Sequence, residues 1–192
     1  LFDSSTDIQL TSKAISILLK SKDKTKKREF KSNFTKHIKY SSLKNEIYLD
    51  EKIAKDINQL KDVCESKNFN KIIKDLKKAN LPSGIVSIFY GFPGTGKTAS
   101  VYEIAKLTKR DVLQVDISSI QSKWVGESEK NTKAIFDEYK RACTILKSKP
   151  ILLFNEADAI ISKRLDVTDA VGQMNNTMQN ILLEELENFE GI

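Results

Sequence analysis

Residues 91–98, GFPGTGKT, match the pattern G-x-x-x-x-G-K-T without deviation. A short apolar run precedes them and a helical pattern follows, which is the context in which this pattern binds phosphate. Glycines let the backbone close around an anion, which then faces the positive end of the next helix. A chance glycine-rich turn would not be expected to have both neighbours. The predicted nucleotide-binding residues are Gly91, Pro93, Gly94, Thr95, Gly96, Lys97, Thr98 and Ala99.

Two side chains of this loop have predicted roles in chemistry. Lys97 is expected to reach the β- and γ-phosphates of ATP or ADP, and the Thr98 hydroxyl to ligate Mg²⁺. We therefore predict a phosphate-binding loop that positions a nucleotide and its metal ion.

A second candidate lies in residues 151–160, ILLFNEADAI, where an apolar run ends in Asn155 and Glu156. In phosphate-loop proteins a second apolar strand ends beside the loop with an acid that helps to hold Mg²⁺. Asn155 stands at that position, and Glu156 follows as the expected catalytic base for the attacking water. An amide keeps an acceptor oxygen for a metal-bound water or the Thr98 hydroxyl, but it has no negative charge. We expect weaker metal affinity with nucleotide binding retained, and partial compensation from Asp158 is an open alternative.

The elements that must position these residues follow from hydrophobic periodicity. Short apolar runs predict strands at 85–91, 111–117 and 151–156, and helical stripes lie at 98–109, 128–146 and 174–189. Strands that alternate with helices predict an α/β fold, a three-layer sandwich in which helices cover both faces of a parallel sheet. Upstream, we predict helices at 8–19, 50–64 and 69–79.

Composition is that of an ordinary globular protein, with 40% hydrophobic and 30% charged residues. There is no apolar run of about 20 residues and no signal peptide, so a cytoplasmic protein without a membrane partner is expected. The net charge of +6 is local, because residues 20–39 contain nine basic and two acidic residues. This run is either a solvated linker or a contact for nucleic acid or another acidic surface. We predict an N-terminal helix and lysine-rich linker at 1–41, and the start of a nucleotide-binding domain at 42–192.

Four blocks in family order resemble the AAA ATPases, in particular the group that contains katanin and spastin. They are FYGFPGTGKT, SKWVGESEKN, ILLFNEADAI followed by ISKR, and NILLEELENFEGI, and the resemblance spans residues 43–192. It implies an ATPase that hydrolyses ATP with Mg²⁺, assembles into a homo-oligomeric, hexameric ring and remodels or threads a polypeptide substrate. An arginine from the next subunit would complete the site.

Within the second block, Trp124, Val125 and Gly126 resemble the loop with which family members line the central channel of the ring. An aromatic side chain there can grip an extended polypeptide without reading its sequence. Arg164 stands where relatives often have a basic residue near the subunit interface, although a solvated arginine in a turn explains it equally well.

The sequence departs from the family in two places. Relatives usually have aspartate at the position of Asn155. The family's next strand, which lies between its first and third strands, would begin near Ile192, so the chain is expected to be a truncated part of the domain. Two alternatives therefore stay open: a nucleotide-dependent switch or scaffold with little turnover, and a nucleic-acid remodeller that uses residues 20–39.

Overall fold

The computed structural model describes residues 30–44, 47–117, 128–158 and 170–192. The chain divides into two compact units, 1–30 and 31–192, and all elements below belong to the second unit. They are β1 (Lys36–Ile38), a 3-10 turn (Tyr40–Ser42), α1 (Glu51–Cys64), α2 (Ser66–Lys78), α3 (Lys97–Thr108), β2 (Val112–Asp116), α4 (Ser128–Ile145), β3 (Ile151–Asn155) and α5 (Ala170–Glu187). The predicted helix at 8–19 and the first half of the basic run, residues 20–29, lie outside the described residues.

The described strands form one sheet in the order β1-β2-β3. Strands β2 and β3 are parallel, as predicted, with Val112 opposite Ile151 and Asp116 opposite Asn155. Strand β1 pairs antiparallel with β2 and places Lys36 opposite Gln114. No strand was predicted here, because three residues inside a lysine-rich segment show no usable periodicity.

Helices cover both faces of the sheet, which confirms the predicted layering. On one face, Val112 and Ile151 belong to a buried cluster with Val101 and Ile104 of α3. Side chains alternate along a strand, so Phe154 points to the other face, where its ring centroid lies 5.9 Å from that of Phe136 in α4. The predicted helical stripes are buried as well, namely Ile135, Tyr139 and Ala142 in α4 and Met178, Ile181 and Leu182 in α5.

The prediction of a buried strand at 85–91 is wrong for this structure. Residues 81–90 have no regular secondary structure, and Val86, Ile88 and Tyr90 are 54%, 72% and 92% exposed. Residues 191–192 lie between this segment and β3: Ile85 donates to the Gly191 carbonyl at 2.9 Å, and Leu152 donates to the Ile192 carbonyl at 2.8 Å. A strand exists only where a neighbour pairs with its backbone groups. In the described structure no strand pairs with residues 85–90, and the single hydrogen bond from Ile85 does not make one.

The two helices before the phosphate loop agree with the predictions. Helix α1 begins at Glu51, where the Asp50 carboxylate accepts a hydrogen bond from the Lys52 amide at 3.0 Å. Helix α2 starts at Ser66, three residues before the predicted start, and its end is followed by Asn80 in a left-handed conformation (φ 54°). Among the described residues, no helix combines the length and the apolar character needed to cross a membrane.

Residues 31–40, which we call the edge strap, lie along the outer edge of the sheet and are attached at two points. The buried Glu138 of α4 accepts hydrogen bonds from the Ser32 hydroxyl at 2.6 Å, the Thr35 hydroxyl at 2.7 Å and the backbone amides of residues 33–35 at 2.8–3.2 Å. Asp111, just before β2, accepts from the Tyr40 amide at 3.1 Å and contacts the His37 imidazole at 2.9 Å. The strap therefore joins β2 to α4.

Arg110, between α3 and β2, is a buried cation that connects three elements. Its guanidinium donates to the Cys64 carbonyl and to the Lys149 carbonyl, both at 2.7 Å, and lies 5.0 Å from the centroid of the Phe69 ring. Burial lowers the pKa of Arg110. Because Cys64 ends α1, the negative end of that helix faces the buried charge and stabilises it.

We expect Arg110→Lys to lower the free energy of unfolding by about 1–3 kcal/mol, because one ammonium group cannot reproduce two fixed, divergent hydrogen bonds. Urea denaturation followed by circular dichroism measures this change. The same exchange at the half-exposed Arg141 is the control, and we expect a smaller loss there, because lysine keeps the positive charge near Glu138 and the site is partly solvated. Equal effects at the two positions would contradict a special role for Arg110.

Candidate nucleotide-binding site

The glycine-rich loop has the backbone geometry that its sequence predicts. Gly91, Gly94 and Gly96 have φ values of 144°, 78° and 87°, which side chains other than glycine rarely tolerate. A Cβ on Gly94 would meet nothing within 4 Å, so glycine is needed at this position for its backbone conformation and not for lack of space. A Cβ on Gly96 would lie 2.8 Å from Ile47 Cδ1, so this glycine also permits close packing. The contribution of Ile47 could not be predicted, since it depends on a segment 49 residues away.

Lys97 begins α3, and its side chain folds back over the loop. The Nζ atom donates to the Gly91 carbonyl at 2.8 Å and to the Phe92 carbonyl at 2.9 Å. The Thr95 hydroxyl donates to the same Phe92 carbonyl at 2.8 Å. The ammonium group is therefore held against the loop by two of its carbonyls, and the first amides of α3, which follows the loop, have no intrahelical acceptors. Of the other predicted loop residues, Pro93 is exposed and Ala99 is partly buried.

The structure brings the two predicted polar positions together at the carboxyl end of β3. Thr98 Oγ1 donates to Asn155 Oδ1 at 3.3 Å. The hydroxyl comes from α3 and the amide from β3, so the contact joins the loop to the sheet. This is one of the two roles expected for the amide oxygen.

Glu156 follows Asn155 in a tight turn and has a left-handed backbone (φ 58°), which is uncommon for a residue other than glycine. Its side chain is exposed, as is that of Asp158. The exposed Glu156 carboxylate therefore directly follows Asn155 in the chain, at the position predicted for the catalytic base.

A third polar position at this edge of the sheet was missed. Asp116 ends β2 and lies opposite Asn155 in the strand register. Gln114 Nε2 donates to Asp116 Oδ1 at 2.8 Å, and the Tyr102 hydroxyl of α3 donates to Gln114 Oε1. The sequence did show an acid near the end of the predicted strand 111–117. Its position opposite Asn155 could not be predicted from that acid alone, because it depends on which strand lies next to β3.

Two predicted features fall outside the described residues. These are the channel-loop residues Trp124, Val125 and Gly126, and Arg164. The described elements do show where the first segment is attached, since β2 ends at Asp116 and α4 begins at Ser128.

The residues present fit a nucleotide with Mg²⁺. The loop is open at Gly94, a lysine lies at its mouth, and a hydroxyl and an amide oxygen adjoin each other at the strand end. Oxygen ligands are those that Mg²⁺ prefers, and in nucleotide sites this ion usually keeps several of its waters. Thr98 would hold the ion and Asn155 would accept from one of its waters. The ion would supply charge neutralisation on the phosphates.

Comparison with known proteins agrees with this geometry. Residues 87–191, more than half of the chain, match the family described as "ATPase family associated with various cellular activities (AAA)", and the chain belongs to that family. Within it, the chain is 39% identical over 88 residues to cell division protein C of Sulfolobus acidocaldarius, an alignment that covers 45% of this chain and 23% of the relative.

Two other relatives carry different names. The chain is 30% identical over 135 residues to a proteasome-activating nucleotidase of Methanocella arvoryzae, covering 70% of this chain and 30% of the relative. It is 34% identical over 107 residues to a vesicle-fusing ATPase of Caenorhabditis elegans, covering 54% and 13%. The chain thus spans a third or less of the length of these relatives.

Proposed function

We propose that this chain is the nucleotide-binding core of a Mg²⁺-dependent AAA ATPase, which hydrolyses ATP in order to remodel or thread polypeptides. The observation that supports it most is the contact between Thr98 of the phosphate loop and Asn155 at the end of β3, because it joins the two halves of a nucleotide site. Assembly into a ring, a cytoplasmic location and an arginine supplied by a neighbouring subunit are parts of the same proposal. The similarity to a proteasome-activating nucleotidase supports a protein substrate.

In the proposed mechanism, the loop amides and Lys97 bind and orient the phosphates of ATP. Lys97 exchanges its two carbonyl acceptors for phosphate oxygens, which are stronger partners because they are charged. Glu156 takes the proton of the attacking water. Most of the rate acceleration comes from positioning and from charge stabilisation by preorganised donors.

A nucleotide-dependent switch with little turnover is the second candidate. The neutral amide of Asn155 favours it, because the residue next to the Thr98 hydroxyl adds no negative charge toward the metal ion. In that case ATP occupancy, rather than hydrolysis, would control the partners.

Nucleotide binding itself is tested with Lys97→Ala. We expect the Kd for a fluorescent ATP analogue to rise about 10–100-fold, since a charge-assisted contact to the phosphates is lost. Fluorescence titration of the purified protein measures this. Lys106→Ala, at the other end of α3, is the control and should bind like the parent. A parent that does not bind, or a Lys97→Ala variant that binds equally well, would refute the proposed site.

A further inference from the structure

Strand register places Asp116 beside the predicted metal position. Asp116 and Asn155 are opposite each other in adjacent parallel strands, which lie about 4.8 Å apart. They also share a face of the sheet. Asn155 contacts Thr98 of α3, and Gln114, two residues before Asp116, contacts Tyr102 of α3. Side chains two residues apart in a strand lie on the same face, so Asp116 also lies on the α3 side.

Asp116 is held in place by a short chain of hydrogen bonds that starts on the same helix as Thr98. The Tyr102 hydroxyl donates to Gln114, and Gln114 Nε2 donates to Asp116 Oδ1 at 2.8 Å. Burial raises the pKa of Tyr102, and the negative charge of Asp116 raises it further. The carboxylate is therefore oriented by protein groups and close enough for its charge to act on α3.

We propose that Asp116 supplies from β2 the negative charge that Asn155 lacks on β3, and so strengthens Mg²⁺ binding with the nucleotide. Mg²⁺ usually binds in such sites through one or two carboxylates and retained waters. A carboxylate on the next strand can accept hydrogen bonds from those waters without touching the ion. Asp116 is thus a positioning residue, and the inference rests on the proposed nucleotide site.

The test separates metal affinity from nucleotide affinity. In Asp116→Asn, the amide oxygen can still accept the hydrogen bond from Gln114, while the charge is removed. We expect Mg²⁺ affinity in the presence of the fluorescent ATP analogue to fall about tenfold, in line with the usual loss when a group behind the metal ligands is replaced. Affinity for the analogue in EDTA should stay unchanged or improve slightly, because a negative charge near the phosphates is gone.

Two further variants make the test specific. Adding Asn155→Asp to Asp116→Asn moves the charge to the neighbouring strand and should restore Mg²⁺ affinity to within a few-fold of the parent. Asp137→Asn removes an exposed acid from α4, away from the proposed site, and should leave Mg²⁺ affinity unchanged. Circular dichroism and thermal melting of each variant verify that the fold is retained.

The possible failures are distinguishable. If the parent does not bind the analogue at all, the proposed nucleotide site fails. If the parent binds with Mg²⁺ but Asp116→Asn leaves the metal affinity unchanged, or weakens binding equally in EDTA, only the role of Asp116 is overturned. An equal loss in Asp137→Asn would also overturn it, since the effect would then be a general one of surface charge.

Discussion

Replacing Glu156 with glutamine should lower kcat for ATP hydrolysis by about 10²–10⁴-fold, the usual contribution of a general base. An amide cannot take a proton from water. The backbone should tolerate the change, because glutamine has the shape of glutamate and both face the same left-handed strain at φ 58°. Nucleotide affinity should stay near that of the parent, since Lys97 and the loop amides are untouched. Phosphate release measures turnover, and titration with the ATP analogue measures binding.

The control for this prediction is Glu184→Gln, which makes the same exchange at an exposed position on α5. It should hydrolyse ATP at the parental rate. Full turnover in Glu156→Gln would exclude Glu156 as the base. A parent that binds ATP without turnover, together with an Asn155→Asp variant that hydrolyses it, would support the switch instead of the motor.

Replacing Glu138 with glutamine should lower the free energy of unfolding by about 3 kcal/mol at pH 7, because hydrogen bonds to a charged acceptor are replaced by weaker ones and some buried donors lose their acceptor. Glu138 is only 4% exposed, and both of its carboxylate oxygens accept hydrogen bonds from the edge strap. In glutamine, an NH₂ group replaces one of these oxygens and cannot accept the hydrogen bonds that the strap donates. Urea denaturation measures the change, and Asp137→Asn, an exposed neighbour on α4, is the control. A loss as small as that of the control would contradict the role given to Glu138.

The same carboxylate predicts how stability depends on pH. Burial alone would raise the pKa of Glu138, but hydrogen bonds from Ser32, Asn33, Thr35 and Phe34 outweigh burial and leave the pKa below its ordinary value. In the unfolded chain this pKa is about 4.3. The stabilisation is therefore complete above that value and is lost as the pH falls through the lower pKa of the folded state. As the pH is lowered from 6 to 3, the free energy of unfolding should fall less in Glu138→Gln than in the parent. If the two proteins gave parallel curves of unfolding free energy against pH, Glu138 would not be the source of this pH dependence.

The phosphate loop could be predicted because everything that defines it is local. The three glycines, Lys97 and Thr98 lie within eight residues, and each backbone requirement can be read from a single residue type. The helices that flank the loop follow from periodicity for the same reason. The Thr98–Asn155 contact could also be predicted, because it joins two local motifs that occur in the same order in members of the family.

What could not be predicted depends on partners that are distant in the chain. Residues 85–90 have the composition of a strand, but only a neighbouring strand can complete one. The edge strap consists of lysines, polar residues and a few aromatics, and the groups that order it are Glu138 and Asp111. Asp116 is one acid among many until the register places it opposite Asn155. In each case the deciding information is the identity of a spatial neighbour.

The attachment of the edge strap has a consequence for the order of events during synthesis. Ser32 and its acceptor Glu138 are separated by 106 residues. At a translation rate of about 5–20 residues per second, the strap leaves the ribosome roughly 5–20 seconds before its anchor exists. Its strand partner β2 appears earlier, but closing either contact requires a long loop, which makes it slow and late. The lysines of the strap keep it hydrated during that interval, so a segment that is made early is among the last to reach its native position.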